Sequence, residues 1–240
     1  MQPQIGQFTE TISIATGPFA GLPRQHFAVI LTDNPWRFET WSPKGQGRSG
    51  EAHYATLSHA DLEALPVGEL AAEDAVLFMW IVQTQIPEAV RLFEAWGFKL
   101  KSVAFAWFKG DGQQLFPDDP PLRMGMGKWT RAEFEQCWLG TCGNPKRLNA
   151  DVRQVLVEKR REHSRKPDGI HERIERLVAG PYLELFARQS RPGWTTWGNE
   201  RTKFDRGFRQ DSNSTARGES DHDKAWDEMW RKPFNRPEAL

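Results

Sequence analysis

Four short apolar runs, each stopped by a turn signal or a charge, constrain this chain more than anything else in its 240 residues. They are "FAVILTD" (27–33), "AVLFMWIV" (75–82), "LKSVAFAWFK" (100–109) and "YLELFARQ" (182–189). Each is short and rich in β-branched or aromatic residues, so each reads as a strand. Helical periodicity lies between them. "IPEAVRLFEAWGF" (86–98) has Pro in its first turn and Gly97 at its end. "RKPDGIHERIERLVAG" (165–180) carries a helix from about Pro167 to Val178. Ser58 is placed to cap a helix over "SHADLEALP", whose first turn is acidic. "TRAEFEQ" reads as a short helix capped by Thr130, followed by a strand "CWLGTC", and "GWTTWGNE" (193–200) as a turn and strand end. Strands alternating with helices at this spacing specify an α/β fold: a mostly parallel sheet with helices on both faces.

Two segments resist regular structure. "WRFETWSPKGQGRSGEAHY" (36–54) and "DGQQLFPDDPPLRMGMGKW" (111–129) are polar, Gly- or Pro-rich and long, the kind of loop that compact domains keep for function. Beyond about Arg206 the composition turns polar and poor in aliphatics. Such a stretch buries too little apolar area to offset its ordering entropy. The expectation is a folded domain over 1–206 and a disordered tail over 207–240. Within the tail, "DKAWDEMWRK" aligns Trp226, Met229 and Trp230 on one side of a short helix.

Lys+Arg and Asp+Glu both number 32, so the chain is neutral. That excludes bulk attraction to nucleic acid and leaves room for a local basic patch. Cys137 and Cys142 lack the spacing of a zinc ribbon and are too few for a disulfide scaffold. They read as reduced thiols, which suits a cytoplasmic protein. The six histidines show no metal-ligand spacing, so no metal is expected. No apolar run approaches the ~20 residues of a membrane span, and "MQPQIGQFTE" lacks the blocks of a signal peptide.

Ligands in open α/β sheets sit beyond the carboxyl ends of the strands. "TDNPW" falls there. Asp33 offers a carboxylate, Asn34 and Pro35 offer backbone carbonyls, and Trp36 offers a flat ring. An exocyclic amine on a flat base needs such a set: acceptors for its N–H groups and a surface to hold the ring. The alternative is a plain Asx-type turn with Trp36 tucked into the core. A second cluster is basic. "KRREHSRK" (159–166) places Lys159, Arg160, Arg161 and Arg165 in one stretch, read as a phosphate contact rather than a solvated loop. Lys44 and Arg48 in the first loop extend it, as do Arg123, Lys128 and Arg131 near the second. His53 and Tyr54 close the first loop and are further candidates to touch nucleic acid.

These motifs and their order resemble the MT-A70-like adenine-N6 methyltransferases, particularly the compact bacterial and phage members. The resemblance runs from about Phe27 to Glu200. It rests on "DNPWRFETWSPKGQGRSGEAHY", "VLFMW", "AFAWFK", "GMGKWTRAEFEQCWLGTCGNPKR" and "REHSRKPDGIHERIERLVAGPYLELFARQSRPGWTTWGNE". It implies a Rossmann-like class I methyltransferase fold with permuted motifs, the catalytic one first and the cofactor one last. It implies S-adenosylmethionine as donor and adenine N6 of nucleic acid as acceptor, DNA favoured over RNA, and is compatible with a homo- or heterodimer. Asp33 matches the acid of the family's D-P-P-W motif, beside the donor's methionine end and the acceptor amine, and Trp36 matches its stacking aromatic. Lys166 matches a lysine that meets the donor's carboxylate. Arg188, Asn199 and Glu200 match residues around its ribose. Asn34 departs from the family, which has proline there.

Two function classes remain open on the sequence. One is an active adenine-N6 methyltransferase; the other is a catalytically weak or inactive relative that binds nucleic acid or partners an active subunit.

Overall fold

A computed structural model describes residues 12–37, 56–110, 129–130, 132–162 and 164–205. Seven strands and three α-helices follow one another as β1 (Phe27–Thr32), α1 (His59–Glu63), β2 (Ala71–Ile81), α2 (Ile86–Ala95), β3 (Lys99–Lys109), β4 (Phe134–Cys142), β5 (Val155–Glu158), α3 (Gly169–Leu177), β6 (Tyr182–Leu185) and β7 (Trp194–Trp197). The strands form one sheet in the order β5-β3-β4-β2-β1-β6-β7. β1 pairs in parallel with β2 and β6, β3 with β5, and β6 with β7. β4 alone runs against both of its neighbours, β2 and β3.

Side-chain alternation divides the sheet into two apolar faces. On one, Ile30, Leu77 and Met79 pack under Leu62 of α1 and under Ala89, Leu92 and Phe93 of α2. On the other, Val29, Leu31, Val76, Phe78 and Trp80 pack under Ile170 and Ile174 of α3. Both faces of the central strands are therefore buried, which is why β1 and β2 read as continuous apolar runs. Ser58 caps α1 in a reciprocal capping box with Asp61. Gly97, with φ +81°, takes the left-handed position after α2 that a side chain would strain.

The structure departs from the sequence reading at two places. Phe134, Glu135 and Gln136, expected at the end of a helix capped by Thr130, belong to β4. Pairing on both edges, with β2 and with β3, outweighs the local preference of a Glu-rich stretch for helix. β5 is a strand the sequence reading did not contain. Only Leu156 is buried in it, so its apolar signal is short.

Candidate active site

Each parallel strand leads towards one end of the sheet, and β4 starts there. Asp33 follows β1 directly and continues the alternation of Leu31, so its side chain is on the α3 face. Glu135 shares that face with the buried Cys137. Lys166 comes in from the segment that precedes α3. Its Nζ lies 2.9 Å from Asp33 Oδ2 and 3.1 Å from Glu135 Oε2. Glu135 Oε1 is in turn 2.6 Å from Lys109 Nζ, at the end of β3. The four groups alternate in sign: Asp33, Lys166, Glu135, Lys109. Aromatic rings flank the cations, with Lys166 Nζ 5.5 Å from the Trp80 ring and Lys109 Nζ 5.5 Å from that of Trp107.

Burial and pairing pull these groups in opposite directions. Burial raises the Asp33 carboxyl above its ordinary value, with Lys166 offsetting part of the shift. Glu135 is also raised by burial, but two lysines more than compensate and hold it down at about 2. Burial opposes the charge of Lys166; Asp33 and Glu135 outweigh it and raise its pKa. Burial likewise pushes the Cys137 thiol well up, and the charge of Asp33 adds to it, so Cys137 is an inert thiol here.

The cleft beyond Asp33 and Lys166 is lined further along by Phe186, Arg188 and Gln189 after β6, by Arg165, Asp168 and Arg191, and by Phe204. Its cavity is about 50 Å³. Arg188 Nε pairs with Glu200 Oε2 at 2.9 Å, and Glu200 also holds Lys203. Gly198 lets the turn after β7 lie against the one after β6. A Cβ there would stand 3.0 Å from the Ala187 nitrogen and from the Phe186 backbone, and its φ of +151° suits only glycine. Deeper in the cleft, His171 Nε2 lies 2.8 Å from Glu184 Oε2, tying α3 to β6.

The expected site residues thus separate. Asp33, Lys166 and Arg188 share the cleft, and Glu200 joins it through Arg188. Asn199 is exposed and does not line it. Trp36 is 1% exposed, inside the core face with α1 and α2 and edge-on to His59 at 6.1 Å. For this residue the core alternative describes the geometry. The Asn34 carbonyl accepts the Trp36 N–H at 2.9 Å and the Pro35 carbonyl accepts the Leu57 N–H at 2.9 Å. Each keeps one lone pair. The Asn34 side chain turns to the face opposite Asp33, where its Oδ1 accepts the Thr32 hydroxyl at 2.7 Å.

Of the basic stretch, Arg165 lines the cleft and Arg161 is exposed but paired. Arg161 donates to Asp168 Oδ2 at 2.5 Å and to the Lys166 carbonyl at 3.0 Å. Arg165 donates to Glu162 and to Gln189, and Arg191 takes the other oxygen of Asp168 at 3.2 Å. Lys159 and Arg160 are exposed. Lys44, Arg48, His53 and Tyr54 lie outside the described residues, as do Arg123, Lys128, Arg131 and the segment 207–240.

Sequence reasoning missed Glu135 and Lys109. The available signal was a carboxylate alternating with a buried Cys on what is in fact a strand. Among the described residues no group of His, Cys, Asp or Glu could hold a metal ion, and no helix is long and apolar enough to cross a membrane.

A mostly parallel, seven-stranded sheet covered by helices, with a carboxylate at the end of its first strand and a cation-lined cleft beside it, defines a Rossmann-like methyltransferase. The chain belongs to the MT-A70 family, whose model it matches over residues 27–200. It is 31% identical over 201 residues to the Type II methyltransferase M.MunI of Mycoplasma sp, covering 76% of this chain and 81% of that protein. It is 31% identical over 201 residues to the human N(6)-adenine-specific methyltransferase METTL4, and 30% identical over 179 residues to the human N(6)-adenosine-methyltransferase catalytic subunit METTL3. Those matches cover 75% and 72% of this chain, but 39% and 28% of the relatives.

Proposed function

We propose that this methyltransferase transfers a methyl group from S-adenosylmethionine to adenine N6 in nucleic acid, with DNA as the substrate. The single observation that carries the reading is the Asp33–Lys166 pair at the mouth of the cleft. The naming of METTL4 for adenine and METTL3 for adenosine supports N6 as the acceptor. Similarity to M.MunI along four fifths of its length, as a compact Type II methyltransferase, supports DNA over RNA.

The chemistry of the cleft fits the donor. S-adenosylmethionine brings an α-carboxylate, a ribose diol and a methyl group already activated by the sulfonium. Arg165 Nε is buried there without a hydrogen-bond partner among the described residues, and a buried donor of that kind calls for an acceptor. Lys166 keeps a third N–H beyond its two carboxylates and is the candidate for the α-carboxylate. Arg188 and Glu200 offer a donor and an acceptor to the ribose.

Asp33 holds the acceptor amine. Its Oδ2 faces Lys166, which leaves Oδ1 to accept an N–H. The second lone pair of the Asn34 carbonyl accepts the other. Such acceptors favour the pyramidal nitrogen of the transition state over the conjugated ground state. Lys166 fixes the Asp33 carboxylate so that this geometry is in place before reaction. No strong base is needed, because the proton is acidic once the nitrogen carries the methyl group.

One observation favours keeping the second reading, a weak or inactive partner subunit: Trp36 is in the core. Incubation of the purified protein with S-adenosylmethionine and DNA or RNA oligonucleotides, followed by nucleoside digestion, separates the two. N6-methyladenine in DNA, lost in Asp33→Ala, is expected. Product in RNA alone reverses the substrate, and no product from a donor-binding protein establishes the second reading. The remaining proposals are a cytoplasmic location and a homo- or heterodimer, the latter read by light scattering.

A further inference from the structure

The last described turn, residues 200–205, folds back over the cleft. Its hydrogen bonds run from Lys203 N to Glu200 O and from Asp205 N to Thr202 O. Two clasps hold it down. The Phe204 N–H donates to the Arg188 carbonyl at 3.1 Å. Asp205 accepts from the Ser190 backbone N–H at 2.9 Å and from its hydroxyl at 2.6 Å. The guanidinium carbons of Arg165 and Arg188 both lie 4.9 Å from the Phe204 ring centroid, the distance at which a cation is attracted by a π-face. All three side chains line the cleft.

Phe204 is not core filling. It belongs to neither hydrophobic cluster and is partly exposed. Among the described residues its place is set by backbone hydrogen bonds and two arginines rather than by either apolar cluster. The cavity it covers, about 50 Å³, has room for a few waters, at roughly 10–15 Å³ each. Any ligand of nucleoside size entering there must touch this ring or displace it.

We infer that Phe204 is a donor-binding residue, the roof of the cleft, carried on a turn that lifts to admit S-adenosylmethionine and settles on it. The inference rests on the donor reading given above. Glu200 couples the two parts. It holds Arg188 and Lys203, and it lies in the same turn as the ring, so engagement of the ribose and closure of the roof occur together. An aromatic roof excludes water from the reacting atoms without adding a charge that would compete with the sulfonium.

The test is binding of S-adenosylhomocysteine by calorimetry and stopped flow, alongside melting curves. Phe204→Ala is expected to bind about tenfold more weakly, chiefly through faster dissociation, while melting where the wild type melts. Phe204→Tyr should bind as the wild type does. Equal or tighter binding by Phe204→Ala overturns the inference, since the ring would then be idle or a plug. If Phe204→Ala melts far lower, Asp205→Asn carries the test, because it loosens the clasp and leaves the ring: weaker binding supports the roof, and unchanged binding removes it. Absence of binding in the wild type sinks the donor reading itself and is seen before any variant is compared.

Discussion

Asn34 has a task that a proline at its position could not perform: its side chain accepts the buried hydroxyl of Thr32. Asn34→Pro leaves that hydroxyl without its partner, at a cost of about 1–3 kcal/mol. The stiffer unfolded chain returns only ~0.4–1 kcal/mol. The melting temperature should therefore fall by a few degrees, and Thr32→Val added to Asn34→Pro should recover most of it, since removing both partners is nearly neutral. No recovery would mean that Thr32 has another acceptor. Glu135 makes the second prediction at this scale. Its carboxyl is held at about 2, below its ordinary 4.5. A depressed carboxylate contributes stability that is complete above its unfolded pKa and is lost as pH falls towards the folded one. Glu135→Gln should thus destabilise by about 2 kcal/mol at pH 7, and the gap to wild type should close as pH drops from 4.5 towards 2. A gap that stays constant in thermal melts across that range would remove the charge from the account.

At the scale of elements, α3 delivers Lys166, and its start is built in an unusual way. Asp168 occupies the N-cap without capping; its carboxylate is spent on three arginines. Glu158, at the end of β5, accepts the Gly169 N–H instead. A Cβ at Gly169 would stand 2.3 Å from Glu158 Oε1, so Gly169→Ala should push that carboxylate off the helix and cost about 1 kcal/mol in urea unfolding. Glu158→Gln, which keeps an acceptor, should cost less; equal losses would mean that the crowding and not the cap is at fault. This arrangement was illegible in sequence, because β5 has one buried residue and the capping carboxylate of Glu158 comes from that strand rather than from the residues beside the helix. The reading of β1 and β2 succeeded because they are continuous apolar runs, and that of α2 and α3 because their apolar residues recur at helical spacing. "TRAEFEQ" failed because its structure is decided by partners far along the chain, β2 and β3. The site followed the same division. Asp33 and Lys166 come from motifs local in sequence, whereas Glu135 and Lys109 are brought to them only by pairing across the sheet.

For the whole molecule, neutrality hides an uneven surface. Arg161 pairs with Asp168, and Arg165, which lines the cleft, is committed to Glu162 and Gln189. Arg160 is exposed beside them. Arg160→Ala should weaken binding to a DNA duplex and lower the slope of log K against log salt by about 1, with no change in melting. Arg165→Ala should lower the melting temperature and donor affinity. The reverse pattern in fluorescence anisotropy at several salt concentrations would move the phosphate contact inward.

The alternating row of charges at the cleft is unequal along its length. Glu135 is shared by two lysines, whereas Asp33 has one, which it shares. Asp33 is therefore the less compensated carboxylate, and burial, offset only in part by Lys166, keeps its pKa raised. A sulfonium beside it supplies what is missing; the thioether left after transfer does not. With the donor seated there as proposed, this carboxylate loosens its hold once the methyl group has gone, which favours turnover over product inhibition. Wild type should bind S-adenosylmethionine more tightly than S-adenosylhomocysteine, and Asp33→Asn should make the two affinities equal.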